Sequence, residues 1–111
     1  MATRAHDQPP PATALSERQR RHLRRLAHAL KPVVRLGNAG LTEAVVLEAA
    51  RALRDHELIK VKTPGGDRAA REELLRSLAA RTGSALVQRV GNVAVLYRPN
   101  AELPRILLPD A

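Results

Sequence analysis

The sequence predicts an α/β domain: a two-layer sandwich in the order αβαβαββ, with a four-stranded mixed sheet. Three observations carry that prediction. Apolar residues recur at helical spacing in three stretches, and short β-branched runs follow each of them. Gly91-Asn92 then separates the last two runs, where a tight hairpin turn needs positive φ. Strand–helix–strand units favour parallel neighbours, and a closing hairpin adds an antiparallel strand.

Residues 1–14 contain Pro9, Pro10 and Pro11 and almost no large apolar side chain, so this extension is expected to be disordered. Leu15, Ser16 and Gln19 then supply a staple residue, an N-cap and a capping-box partner. Leu23, Leu26, Ala27 and Leu30 share one face of a first helix expected over 16–30. That helix ends near Lys31-Pro32, because proline disfavours helix at the residue before it. Val33 to Leu36 reads as strand one, and Gly37-Asn38-Ala39-Gly40 as a tight loop. Thr42 is a candidate N-cap for helix two, whose apolar stripe is Val45, Val46, Ala49 and Leu53.

Helix two is expected to end at Asp55-His56, with His56 satisfying the helix end or a core hydrogen bond. Strand two spans Glu57 to Thr63, with Ile59 and Val61 on one face and Lys60 and Lys62 on the other. Pro64-Gly65-Gly66-Asp67 is a loop by composition. Helix three is expected over Arg68–Arg81, with Leu74, Leu75 and Leu78 inward and Gly83 as its stop. Ala85–Val90 and Val93–Tyr97 form the hairpin. The domain proper is expected over 15–99. A proline-interrupted tail occupies 100–111, with Ile106, Leu107 and Leu108 as candidates to dock.

Charge is the strongest global signal. Nineteen Lys and Arg face eleven Asp and Glu, a net charge of +8. Such a balance attracts polyanions, nucleic acid first. With no cysteine, disulfides and Cys-based zinc sites are excluded. No apolar run is long enough to span a bilayer, and the N-terminus has no secretory h-region. A soluble, cytoplasmic protein is expected. His6, His22, His28 and His56 show no metal-ligand spacing, and no phosphate-binding lysine loop or nucleophile elbow occurs. Neither enzyme activity nor a metal or cofactor is expected.

Three features carry the functional expectation. Between Ser16 and Arg35, Arg18, Arg20, Arg21, Arg24, Arg25, Lys31 and Arg35 face a single acid, Glu17. Solvated helix faces usually mix both signs, so an unpaired guanidinium stripe points to phosphate. The loop Gly37-Asn38-Ala39-Gly40 runs straight into a helix. Its glycines let the backbone approach a ligand, and the helix start adds unpaired N–H groups. Alone, the same tetrapeptide also suits a plain strand-to-helix turn. Lys60 and Lys62, with Arg35 and Arg68, would extend a positive surface, although lysines also protect strand edges.

Residues Leu26 to Lys62, LAHALKPVVRLGNAGLTEAVVLEAARALRDHELIKVK, closely resemble the CRM domain, the YhbY-like RNA-binding family. Agreement continues at Asp67-Arg68, Thr82-Gly83 and Val95 to Pro99, and so covers roughly Ser16 to Pro99. The resemblance implies a fold similar to the C-terminal domain of translation initiation factor 3, and an RNA-binding role for the G-x-x-G loop. Bacterial stand-alone members resemble assembly factors of the large-subunit precursor; plant relatives act in organellar intron splicing. Carried over, the RNA-binding positions are Gly37, Asn38, Ala39 and Gly40, with Lys31, Arg35, Lys60, Lys62 and Arg68 around them. Helix one adds Arg20, Arg21, Arg24 and Arg25.

Two departures stand out. Asn38-Ala39 lacks the basic residue that some relatives carry there, which leaves the contact to backbone amides. His28-Ala29 stands where His-Pro is expected. The expected partner is RNA, in particular large-subunit ribosomal RNA or a pre-ribosomal particle. No membrane or small-molecule substrate is expected, and the protein is expected to be a monomer. The competing expectations are a module docking an acidic partner on the ribosome, and a splicing-type binder of structured RNA.

Overall fold

The computed structural model describes residues 14–111. The expected disorder of 1–14 therefore lies outside the described residues, except at Ala14. Seven elements follow in the expected order. They are α1 (Glu17–Ala27), β1 (Pro32–Arg35), α2 (Glu43–His56), β2 (Leu58–Lys62), α3 (Arg68–Thr82), β3 (Ala85–Val90) and β4 (Val93–Tyr97). The strands form one sheet in the order β1-β2-β4-β3. β1 and β2 run parallel, and both remaining pairings are antiparallel.

Local chemistry sets the boundaries. The Ser16 hydroxyl accepts from the Gln19 amide, and the Gln19 side chain accepts from the Ser16 amide, each at 3.1 Å. These bonds satisfy two of the donors that a helix start leaves orphaned. Thr42 caps α2 by accepting from the Val45 amide at 3.2 Å, and Asp67 caps α3. Gly83 ends α3 in the left-handed region and Gly91 turns the hairpin there, with φ of 65° and 59°. α1 stops at Ala27 rather than Leu30. The Leu30 amide instead donates to the Ala27 carbonyl at 2.9 Å, a tight turn that leads the chain into Pro32.

The layering differs from the two-layer expectation. Helices cover both faces of the sheet, so there are three layers. Val46, Ala49 and Leu53 of α2 and Leu78 of α3 pack on Val34, Leu36, Ile59, Val61 and Leu96 of the sheet side. On the other face Leu23 and Ala27 of α1, with Leu15 before it, pack on Leu58, Ala85, Val87, Val95 and Tyr97. Strand alternation makes both sets possible: Ile59 and Val61 face one side, Leu58 and Lys60 the other. Truncating fully buried Leu23 to alanine unpins α1 from the sheet. Urea unfolding of this variant should show a loss of about 3 kcal/mol.

Glu57 is a feature that apolar patterning does not reveal. It is fully buried, and its φ of 65° turns the chain from α2 into β2. His56, expected at this junction, is exposed. The Glu57 carboxylate accepts three backbone amides from the tail: Asn100 at 2.6 Å, Arg105 at 2.9 Å and Ile106 at 2.9 Å. Charge-assisted bonds of this kind compensate the desolvated carboxylate. The Arg105 guanidinium also donates to the carbonyls of Arg54 and Asp55, at the end of α2. The tail thus carries no helix or strand yet is fixed, with Ile106 and Leu108 packed on the α1-side cluster. Leu107 is 82% exposed and does not dock. Burial, and after it the Glu57 charge, pushes the Tyr97 phenol above its usual pKa.

Candidate nucleic-acid interface

α1 covers only part of its sheet face. Leu58, at the start of β2, lies beneath the helix, and Lys60 lies beyond it toward the strand end. The uncovered part is a groove of about 690 Å³. Arg21, Arg24, Arg25 and His28 of α1 line its wall. Lys60, Gln88, Val90, Val93 and Val95 of the strands line its floor. Among the described residues, neither Arg21 nor Arg25 has an ion-pair partner. Both are exposed at the rim.

Sheet register carries the positive charge onward from the groove. Lys62 shares the Lys60 face of β2, and its Cα partner on β1 is Arg35. Leu36 and Gly37 follow directly, so Lys60, Lys62 and Arg35 lead along one face to the glycine loop. That loop lies at the carboxyl ends of the parallel strands, where open α/β sheets bind ligands. The hairpin turn closes on the same end: the Thr63 amide donates to the Asn92 carbonyl at 2.8 Å.

The two loop glycines play different parts. Gly40 has φ +75°, donates its amide to the Gly37 carbonyl at 3.0 Å, and faces Leu74 of α3. A left-handed position penalises a Cβ, so Gly40 serves the fold. Gly40→Ala should lower stability by about 1–2 kcal/mol in thermal or urea unfolding. A Cβ at Gly37 would meet nothing within 4 Å, and its φ is not left-handed. Neither backbone geometry nor packing demands glycine there. Gly37, Asn38 and Ala39 are all exposed, and nothing from the described residues plugs the bend.

The helix end behind the loop is partly occupied by the protein itself. The Thr42 hydroxyl takes the Val45 amide. Glu43, in the first turn, places a carboxylate near the positive end of the α2 dipole, where Arg81 pairs with it at 2.7 Å. The N–H groups expected from the helix start are thus partly engaged by the protein itself, and the accessible main chain is that of the loop.

Four expected basic positions lie apart from this surface or are engaged. Arg20 donates to the Val87 carbonyl at 2.8 Å, covering part of the exposed edge of β3. Arg24 lines the groove but pairs with Glu17 at 3.1 Å, about two turns back along the same helix. Lys31 precedes β1, at the other end of that strand, and lines a different, apolar groove. Arg68 opens α3 beside Asp67, Glu72, Glu73 and Arg76, in mixed charge. His28, Gln88, Val90 and Val93 line the groove although none was an expected binding position. Alternation along β4 held the signal for Val93, whereas Gln88 and Val90 reach the groove because a register shift between Leu86 and Gln88 reverses the alternation of β3.

Fold and surface together define a small open-sheet α/β domain whose basic groove leads to an exposed glycine loop. Residues 15–98 match the CRS1 / YhbY (CRM) domain, and the chain belongs to that family. An RNA-binding protein of Haemophilus influenzae is 47% identical over 97 residues, covering 87% of this chain and 97% of that protein. YqeI of Bacillus subtilis is 35% identical over 95 residues, covering 86% of this chain and 99% of YqeI. A hypothetical protein of Staphylococcus aureus, solved in solution, superposes with a TM-score of 0.74 at 36% identity. That match covers 86% of this chain and 99% of the other.

Proposed function

We propose that this protein is a non-enzymatic, monomeric RNA-binding protein of the cytoplasm, acting in assembly of the large ribosomal subunit. Its RNA-binding unit spans 15–99. The observation that carries the reading is the convergence of Arg21, Arg25 and Lys60 on one groove, continued by Lys62 and Arg35 to an unobstructed Gly37. Relatives named for RNA binding support RNA as the polyanion. Guanidinium and ammonium groups neutralise phosphates, and the amides of Asn38 and Ala39 approach the sugar–phosphate chain past Gly37. Such contacts position the protein, and RNA shape selects the site. A single aromatic, buried Tyr97, leaves no platform for base stacking.

Gly37→Val tests the loop. Stability should change by no more than about 0.5 kcal/mol, since the site is open and its φ ordinary. Affinity for a ribosomal RNA fragment should fall at least about tenfold, because a branched side chain holds the phosphates off the amides. Unchanged affinity removes the loop from the mechanism. Crosslinking in cells with sequencing of bound RNA tests the assignment to the large subunit: reads scattered over messenger RNA would overturn it.

A further inference from the structure

Helical periodicity assigns Leu26 and Leu30 to the core, yet they are 40% and 37% exposed. Val33 of β1 is 48% exposed beside them. The three line one apolar groove of about 460 Å³ with Leu58, Ile59 and Ile106, with Lys31 and His56 completing the lining. The groove exists because α1 stops at Ala27, and because Glu57 fixes the tail so that Ile106 forms a wall. Gly37 stands at the far end of β1 from Lys31, so this surface is separate from the glycine loop.

We infer that this groove docks a short apolar segment of a partner protein that carries carboxylates beside its apolar residues. Leu26, Leu30 and Val33, left exposed side by side, offer a partner apolar surface to bury. Charge selects the partner's chemistry. No carboxylate lines the groove among the described residues, while Lys31 supplies a cation. The acids nearest in sequence to His56 are engaged: Asp55 with Arg54 at 3.7 Å, and Glu57 with the tail amides. A basic segment meets Lys31 as a like charge, and an RNA strand gains little from a floor of leucine, valine and isoleucine.

The test pans a random-peptide phage library on the full-length protein, with counter-selection on the double variant Leu26→Glu, Leu30→Glu. Thermal unfolding first checks that this variant is folded, as its half-exposed positions allow. Enriched peptides should combine apolar residues with an excess of Asp and Glu. Made synthetically, they should shift the methyl resonances of Leu26, Leu30, Val33 and Ile106, and bind the double variant at least about tenfold more weakly. Oligouridine should still bind the double variant, weakened only by the few-fold that two added carboxylates on α1 cost, which separates this inference from the proposed RNA function. The inference is overturned if nothing is enriched over the variant, if basic peptides win, or if the shifts fall on the Lys60 groove. It is also overturned if the same methyls move with protein concentration alone, which assigns the groove to a second copy. Shifts of those methyls with oligouridine assign it to RNA and overturn it as well.

Discussion

Glu57→Ala is expected to destabilise the domain by about 3–5 kcal/mol, more than any single surface change. Each hydrogen bond to a charged group contributes about 1.5–3 kcal/mol, and this carboxylate accepts three. The tail reaches water once released, so the sum is not fully lost. Its release also uncovers the apolar surface beneath Ile106 and Leu108. Urea unfolding measures the loss, and amide exchange locates it: Asn100, Arg105 and Ile106 should lose protection even where the fold survives. Glu57→Gln separates charge from shape. Its carbonyl oxygen still accepts from two amides, but its NH₂ opposes the third donor. About half the alanine effect is expected. Full stability in the alanine variant would mean that the tail is held by Ile106 and Leu108 alone.

Glu57 also shows what sequence patterning misses. A glutamate between a helix and a strand reads as a solvated junction, and its partners lie more than forty residues along the chain. Features governed by near neighbours were legible. The Ser16–Gln19 box, the Thr42 cap, the Gly83 stop and the Gly91 turn each depend on residues within one turn of chain. The third layer had a signal that was read incompletely. β4, Val-Ala-Val-Leu-Tyr, is apolar on both faces, as a strand covered on both sides requires. Helical spacing identified the apolar side of α1 but not where the helix stops, and so overstated how deeply Leu26 and Leu30 are buried. The two glycines of the loop look equivalent as letters; only φ and the neighbouring Leu74 distinguish Gly40 from Gly37. Charge counting likewise found the basic helix but not the engagement of Arg20 with Val87 or of Arg24 with Glu17.

That division of the arginines yields the sharpest functional expectation. Replacing Arg21, Arg25 and Lys60 together by glutamine should lower RNA affinity about a hundredfold near physiological salt. The reason is counterion release: each phosphate neutralised on a single strand contributes about −0.7 to the slope of log K against log[salt]. If the groove and its continuation engage about four phosphates, the wild-type slope is roughly −3, and removing three contacts brings it near −1. The slope matters more than the loss itself, because an inactive fraction lowers apparent affinity at every salt concentration without changing the gradient. Stability should hardly move, since Arg21 and Arg25 are exposed and form no ion pair among the described residues. Arg20→Gln is the control, removing one charge from α1 where the triple removes three in all. It removes a cation that is already bonded to the Val87 carbonyl, so it should affect stability more and the salt slope less. A variant triple that kept the wild-type slope would place the phosphates elsewhere, and would leave the groove as a gap between α1 and the sheet.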